Sequence, residues 1–117
     1  MTSEELRGRT KAFAVRVVGL YKALPKTTEA QVLGKQLLRS GTSVAANYRA
    51  ACRGRSRAEW MAKIGIVVEE ADETQFWLEM LSDCGILPEE RLKELKHEAQ
   101  ELIAIFTATH YSARRAA

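Results

Sequence analysis

Residues 37–57 read Leu-Leu-Arg-Ser-Gly-Thr-Ser-Val-Ala-Ala-Asn-Tyr-Arg-Ala-Ala-Cys-Arg-Gly-Arg-Ser-Arg. Leu37, Ser40, Val44, Asn47 and Ala51 recur at steps of three and four, which keeps them on one side of an α-helix. Ala30 and Leu33 extend this seam upstream, so one helix is predicted over about 29–53. Two seam residues, Ser40 and Asn47, are polar; a buried polar group costs stability unless partnered, and it can fix the register of packed helices. Both are therefore predicted to be buried polar residues that specify packing, not chemistry. Beside the seam lie Gly34, Leu38, Gly41, Ala45, Tyr48 and Cys52, a non-polar arc wider than a single helix pair needs. On the opposite side Lys35, Arg39, Arg49 and Arg53 form a stripe that is basic at both ends. Gly54 is placed to end the helix in a left-handed conformation, and Arg55 and Arg57 make the turn arginine-rich.

Three more segments have the same period. Leu6, Thr10, Phe13, Val17, Leu20 and Leu24 predict a helix over about 3–24, with Thr2 and Glu5 at capping-box spacing and Pro25 forcing the stop. Gly8 and Gly19 weaken it and are expected to be repaid at a close helix contact. Thr28 with Gln31 is the predicted start of the second helix. Ser56 and Glu59 cap a third, about 57–84, whose seam is Trp60, Ile64, Val67, Ala71, Thr74, Leu78 and Leu81. Trp77 and Met80 flank that seam, and Phe76 falls among Glu69, Asp72, Glu79 and Asp83. Phe76, Trp77 and Met80, with Tyr48 and Leu38 of the second helix, are predicted to pack between subunits. Gly85 and Pro88 then separate a fourth helix, about 88–111, with its seam at Leu92, Leu95, Ala99, Leu102, Phe106 and Thr109. Short connections make neighbouring helices antiparallel. The expected fold is an all-α, up-down-up-down four-helix bundle over residues 1–112 that associates with copies of itself, with 113–117 as a frayed tail.

The charge is unevenly distributed: residues 1–57 hold twelve Lys/Arg against three Asp/Glu, a net +9, and residues 58–117 hold six against twelve, a net −6. Such halves either attract each other, within the bundle or across a subunit contact, or leave the basic half facing a polyanion. Register about the Gly54–Arg57 turn sets Arg39 opposite roughly Asp72. The remaining basic surface of Lys35, Arg39, Arg49, Arg53, Arg55 and Arg57 suits phosphate oxygens, with Arg9, Arg16 and Lys63 as neighbours. Tyr48 is the one aromatic close enough to stack on a base. It lies on the apolar side, which argues against single-strand or sequence-specific reading by base stacking.

Catalytic signals are missing. Glu94 and His97 have the spacing of one carboxylate–histidine metal pair but lie off the fourth seam, so no metal and no cofactor is expected. Neither His97 nor His110 has an implied Ser or Cys partner, and Arg53-Gly-Arg-Ser-Arg lacks the pattern of a phosphate-binding loop. Cys52 and Cys84 are widely separated and read as small packing residues. No apolar run is long enough to span a membrane, and residues 1–10 are too charged for a secretory signal, so a cytoplasmic, non-enzymatic protein is expected.

The segments Gln36-Leu-Leu-Arg-Ser-Gly-Thr-Ser-Val-Ala-Ala-Asn-Tyr-Arg49 and Glu69-Glu-Ala-Asp-Glu-Thr-Gln-Phe-Trp-Leu-Glu79 give the chain a family likeness. It resembles the four-helix-bundle proteins encoded by intervening sequences within bacterial 23S rRNA genes, often labelled ribosomal proteins. The resemblance implies a small antiparallel bundle that associates as a ring, typically a pentamer. A related protein accompanies the reverse transcriptase of diversity-generating retroelements, so it also implies two kinds of partner besides the chain itself: RNA or DNA held through a basic face, or a protein such as a reverse transcriptase held by a scaffold. Many family members carry an acidic residue shortly after the motif Asn. This chain has Arg49-Ala50-Ala51 there, which makes the local surface more basic.

Overall fold

A computed structural model describes residues 1–116. Four helices account for almost all of them: α1 (Ser3–Lys22), α2 (Thr28–Cys52), α3 (Arg57–Asp83) and α4 (Glu89–Ala116). At about 1.5 Å per residue the longest helices reach roughly 40 Å, close to the 46 Å long axis of the molecule, so each runs most of its length. α1 packs on α2, α2 on α3 and α3 on α4, and a slighter α1–α4 contact closes the bundle. The four seams meet in one core, in which Phe13, Val17, Leu37, Val44, Ile64, Val67, Leu78, Leu81, Leu92, Leu102 and Phe106 are fully buried.

Capping chemistry sets the helix starts. Thr2 and Glu5 form both halves of a capping box, and Ser56 accepts from the Glu59 N–H at 3.1 Å. At α2 the cap is Thr27, one residue before the predicted Thr28. Gln31 instead ties the α1–α2 turn: its amide donates to the Pro25 carbonyl at 2.9 Å, and its Oε1 accepts from the Tyr21 hydroxyl at 2.9 Å. α3 ends in a Schellman turn, with Gly85 at φ 67°, its N–H bonded to the Ser82 carbonyl and the Ile86 N–H to that of Leu81.

Several expectations are corrected. Gly54 does not adopt positive φ; a Cβ there would lie 3.1 Å from the Ala51 carbonyl oxygen and 3.4 Å from the Trp60 nitrogen, so close backbone approach in the turn is its reason. Gly8 and Gly19 face open space and serve no contact within the chain. The C-terminus was expected to fray from 113. It is instead helical through Ala116, because Ala113 is buried against α3 and its carbonyl accepts from Arg57 at 3.2 Å. Ala117 lies outside the described residues.

Part of the non-polar arc of α2, at Gly34, Gly41 and Tyr48, is covered within the chain, while Leu38, Ala45 and Cys52 are half-buried. Gly41 lies so close to α1 that an added Cβ would sit 2.8 Å from both Val17 methyls, and Gly34 meets Leu24 and Tyr21 in the same way. Tyr48 is 4% exposed with its ring centroid 5.0 Å from that of Phe106, so its predicted place in a subunit interface is wrong. Asn47 is only half-buried, and its amide donates to the Ser43 carbonyl of its own helix at 2.9 Å. Polar specification of the core falls to Ser40, whose Oγ accepts from Thr74 Oγ1 at 3.0 Å across the α2–α3 seam.

Candidate functional site

The ion pairs decide which cations are free to meet a ligand. Arg9 forks onto Glu98 of α4, with Nε and Nη2 each donating at 2.7 Å, and also reaches Glu101. The guanidinium holds the Glu98 carboxyl below the usual carboxylate range, and the two carboxylates raise Arg9 in turn. Arg39 straddles Glu70 at 3.0 Å and Glu73 of α3, two residues before and one after the Asp72 predicted to face it. The Glu73 carboxyl is lowered first by Arg39 and also by the Trp77 indole, whose N–H donates to it at 3.3 Å. Arg39 is thus occupied within the chain, and so is Arg57, on the Ala113 carbonyl.

Arg49, Arg53 and Arg55 remain exposed and form no salt bridge among the described residues, as does Lys35 further along α2. The structure brings Arg49 and Arg53 together with two residues the sequence reading missed. Arg7 and Lys11 of α1 stand across from them, and with Glu4, Gly8 and Cys52 the four cations line a cleft of about 490 Å³ between α1 and α2. Among the described residues neither Arg7 nor Lys11 is in a salt bridge. A signal was present: Arg7 and Lys11 are four apart, as are Arg49 and Arg53, so each pair shares a helix flank. The Tyr48 hydroxyl lies beneath, its pKa pushed up to about 12 by burial and by Cys52, with Arg7 pulling the other way. Buried there, the ring cannot stack on a base.

Elsewhere the surface is mixed. A cleft of about 570 Å³ along α4 alternates Arg16, Lys93 and Lys96 with Glu89, Glu94 and Glu98, so neither sign accumulates there. Glu94 and His97 lie there, but His97 pairs with Glu101 at 3.4 Å, and among the described residues no three His, Cys, Asp or Glu side chains converge. No helix of the described residues is long and apolar enough to cross a membrane. On α3, Phe76 is 49% exposed and meets the half-buried Trp77 edge-on at 4.9 Å, with Met80 half-buried one turn on; Leu38 of α2 is half-buried too.

Comparison with known proteins agrees with this architecture. The family model described as 23S rRNA-intervening sequence protein matches residues 5–108. A crystal structure of a protein of unknown function from the S23 ribosomal protein family of Bacteroides thetaiotaomicron is similar over 95% of this chain and 99% of that one, at 34% identity and a TM-score of 0.88. No curated protein matches.

Proposed function

The chain belongs to the 23S rRNA-intervening sequence protein family, and from that premise we propose that it acts as a non-enzymatic homo-oligomer, a pentamer, that holds RNA or DNA by the phosphate backbone. The observation that carries this reading is the division of the cations. Arg9 and Arg39 are neutralised by carboxylates of the same chain, whereas Arg7, Lys11, Arg49 and Arg53 line one cleft, with Arg55 two residues on, and none of them forms a salt bridge among the described residues. Like charges held together oppose folding, and a polyanion relieves the repulsion. Arginine forks also match phosphate oxygens two at a time.

With Tyr48 buried and no other aromatic in the cleft, nothing reads the bases, so binding is salt-sensitive and weakly sequence-selective. Phe76, Trp77 and Met80, set among Glu69, Asp72, Glu79 and Asp83 on the outer side of α3, support the subunit contact. A contact between unlike surfaces closes into a ring and repeats the basic end once per subunit.

Light scattering combined with an electrophoretic titration of structured RNA and duplex DNA at two salt concentrations tests both parts. The expected mass is that of five 13.1 kDa chains, with retention at low salt that Arg53→Glu with Arg55→Glu abolishes. A monomer mass contradicts the assembly. An oligomer that retains no nucleic acid, or whose retention ignores the reversal, contradicts the binding and leaves a scaffold for a protein such as a reverse transcriptase.

A further inference from the structure

We infer that the α1–α2 cleft seats the backbone of one single nucleic-acid strand, gripped by Arg7 and Lys11 on one wall and by Arg49 and Arg53 on the other. This rests on the phosphate-binding reading above and names both the seat and the form of nucleic acid it favours. The first support is the spacing of the cations. Residues four apart on a helix are separated by about 6 Å along its axis. The antiparallel register set by Val17 against Gly41 brings Arg7 level with Ala51, between Arg49 and Arg53, and Lys11 one turn deeper, level with Asn47. Each wall therefore presents two cations about 6 Å apart, staggered against those of the other wall, a spacing of the order of the step between neighbouring phosphates of an extended strand.

A second support is the open space at Gly8. Gly8 is a poor residue for the interior of a helix, and nothing in the chain comes within 4 Å of where its Cβ would be. Its missing side chain instead adds room to the cleft it lines. The third is access. Two facing cationic walls can be used together only by a chain exposed on both sides, which a single strand is. A duplex presents the outer side of each strand and meets one wall at a time. Glu4 is the one acidic residue in the lining, outnumbered by four cations. No aromatic side chain lines the cleft, so the bases face outward and sequence is not read.

Fluorescence anisotropy at low salt, with a labelled single-stranded oligonucleotide and its duplex form, tests this on the full chain. Gly8→Leu fills the cleft without changing any charge and adds a better helix former at an open position. It is expected to weaken single-strand binding at least about tenfold, with thermal unfolding by circular dichroism no earlier than wild type. Arg7→Glu with Lys11→Glu should do the same, whereas Lys26→Gln, in the α1–α2 turn at the other end of the bundle, should change affinity less than about twofold. Single-strand binding unchanged by Gly8→Leu, or a duplex bound more tightly than the strand, overturns the cleft; if Arg53→Glu with Arg55→Glu still abolishes retention, the broader phosphate reading survives. A wild-type chain that binds neither form overturns both.

Discussion

Phe106→Ala is expected to destabilise the bundle by about 3–5 kcal/mol, the range for deleting a fully buried aromatic ring. Phe106 is 0% exposed and packs against Tyr48 across the core, from α4 to α2, where no direct helix–helix contact supports the bundle. Removing it leaves a void lined by both elements and strips the cover from the Tyr48 ring. Chains of this size have about 5–15 kcal/mol to lose, so the variant should be close to unfolding at physiological temperature. Urea titration followed by circular dichroism gives the difference directly. A loss below about 1 kcal/mol would mean that Phe106 is not central to the packing.

Gly41→Leu has the second largest expected effect, about 3 kcal/mol, and for the opposite reason. An added Cβ alone would come 2.8 Å from both Val17 methyls and 3.1 Å from its Cβ. Val17 is 0% exposed and branched at Cβ, so it cannot turn aside within its own helix. The larger side chain must push α1 off α2, the two helices that form the cleft walls. The milder Gly41→Ala sets a gain in helix propensity of about 1 kcal/mol against the same clash, and is expected to lose overall. Combining it with Val17→Ala should recover part of that loss, a coupling that a double-mutant cycle in urea reads out. Additive losses would show that Val17 is not what confines Gly41.

The contrast between these glycines shows what the sequence made legible. Period alone marked the four core stripes, because Leu37, Val44, Ile64, Leu78, Leu92 and Phe106 recur at helical spacing whatever surrounds them. It could not say which neighbour covers a flank. The α2 arc of Gly34, Gly41 and Tyr48 looked too wide for one partner helix, yet α1 and α4 cover it inside the same chain. For the same reason Gly8 and Gly19 looked like contact residues and are not.

The site was half legible. Arg49, Arg53 and Arg55 were visible as a basic run beside Gly54. The missing wall, Arg7 and Lys11, depended on the rotation of α1 about its own axis, which steps of three and four leave loose by most of a residue. Arg9, two positions from Arg7, turns the other way onto Glu98. Which arginines are spent is likewise a matter of register: Arg39 is consumed because Glu70 and Glu73 of α3 fall on either side of it. Asn47 could have been the buried polar partner by pattern, but Thr74 stands opposite Ser40 instead.

The most direct test of the claim that unspent cations meet phosphates is the slope of log affinity against log salt for wild-type protein on a single-stranded oligonucleotide. Each phosphate neutralised on a single strand contributes about −0.7, so four cleft cations predict a slope near −3 for each engaged subunit. Binding with a slope near zero, or no measurable binding at low salt, would contradict the account.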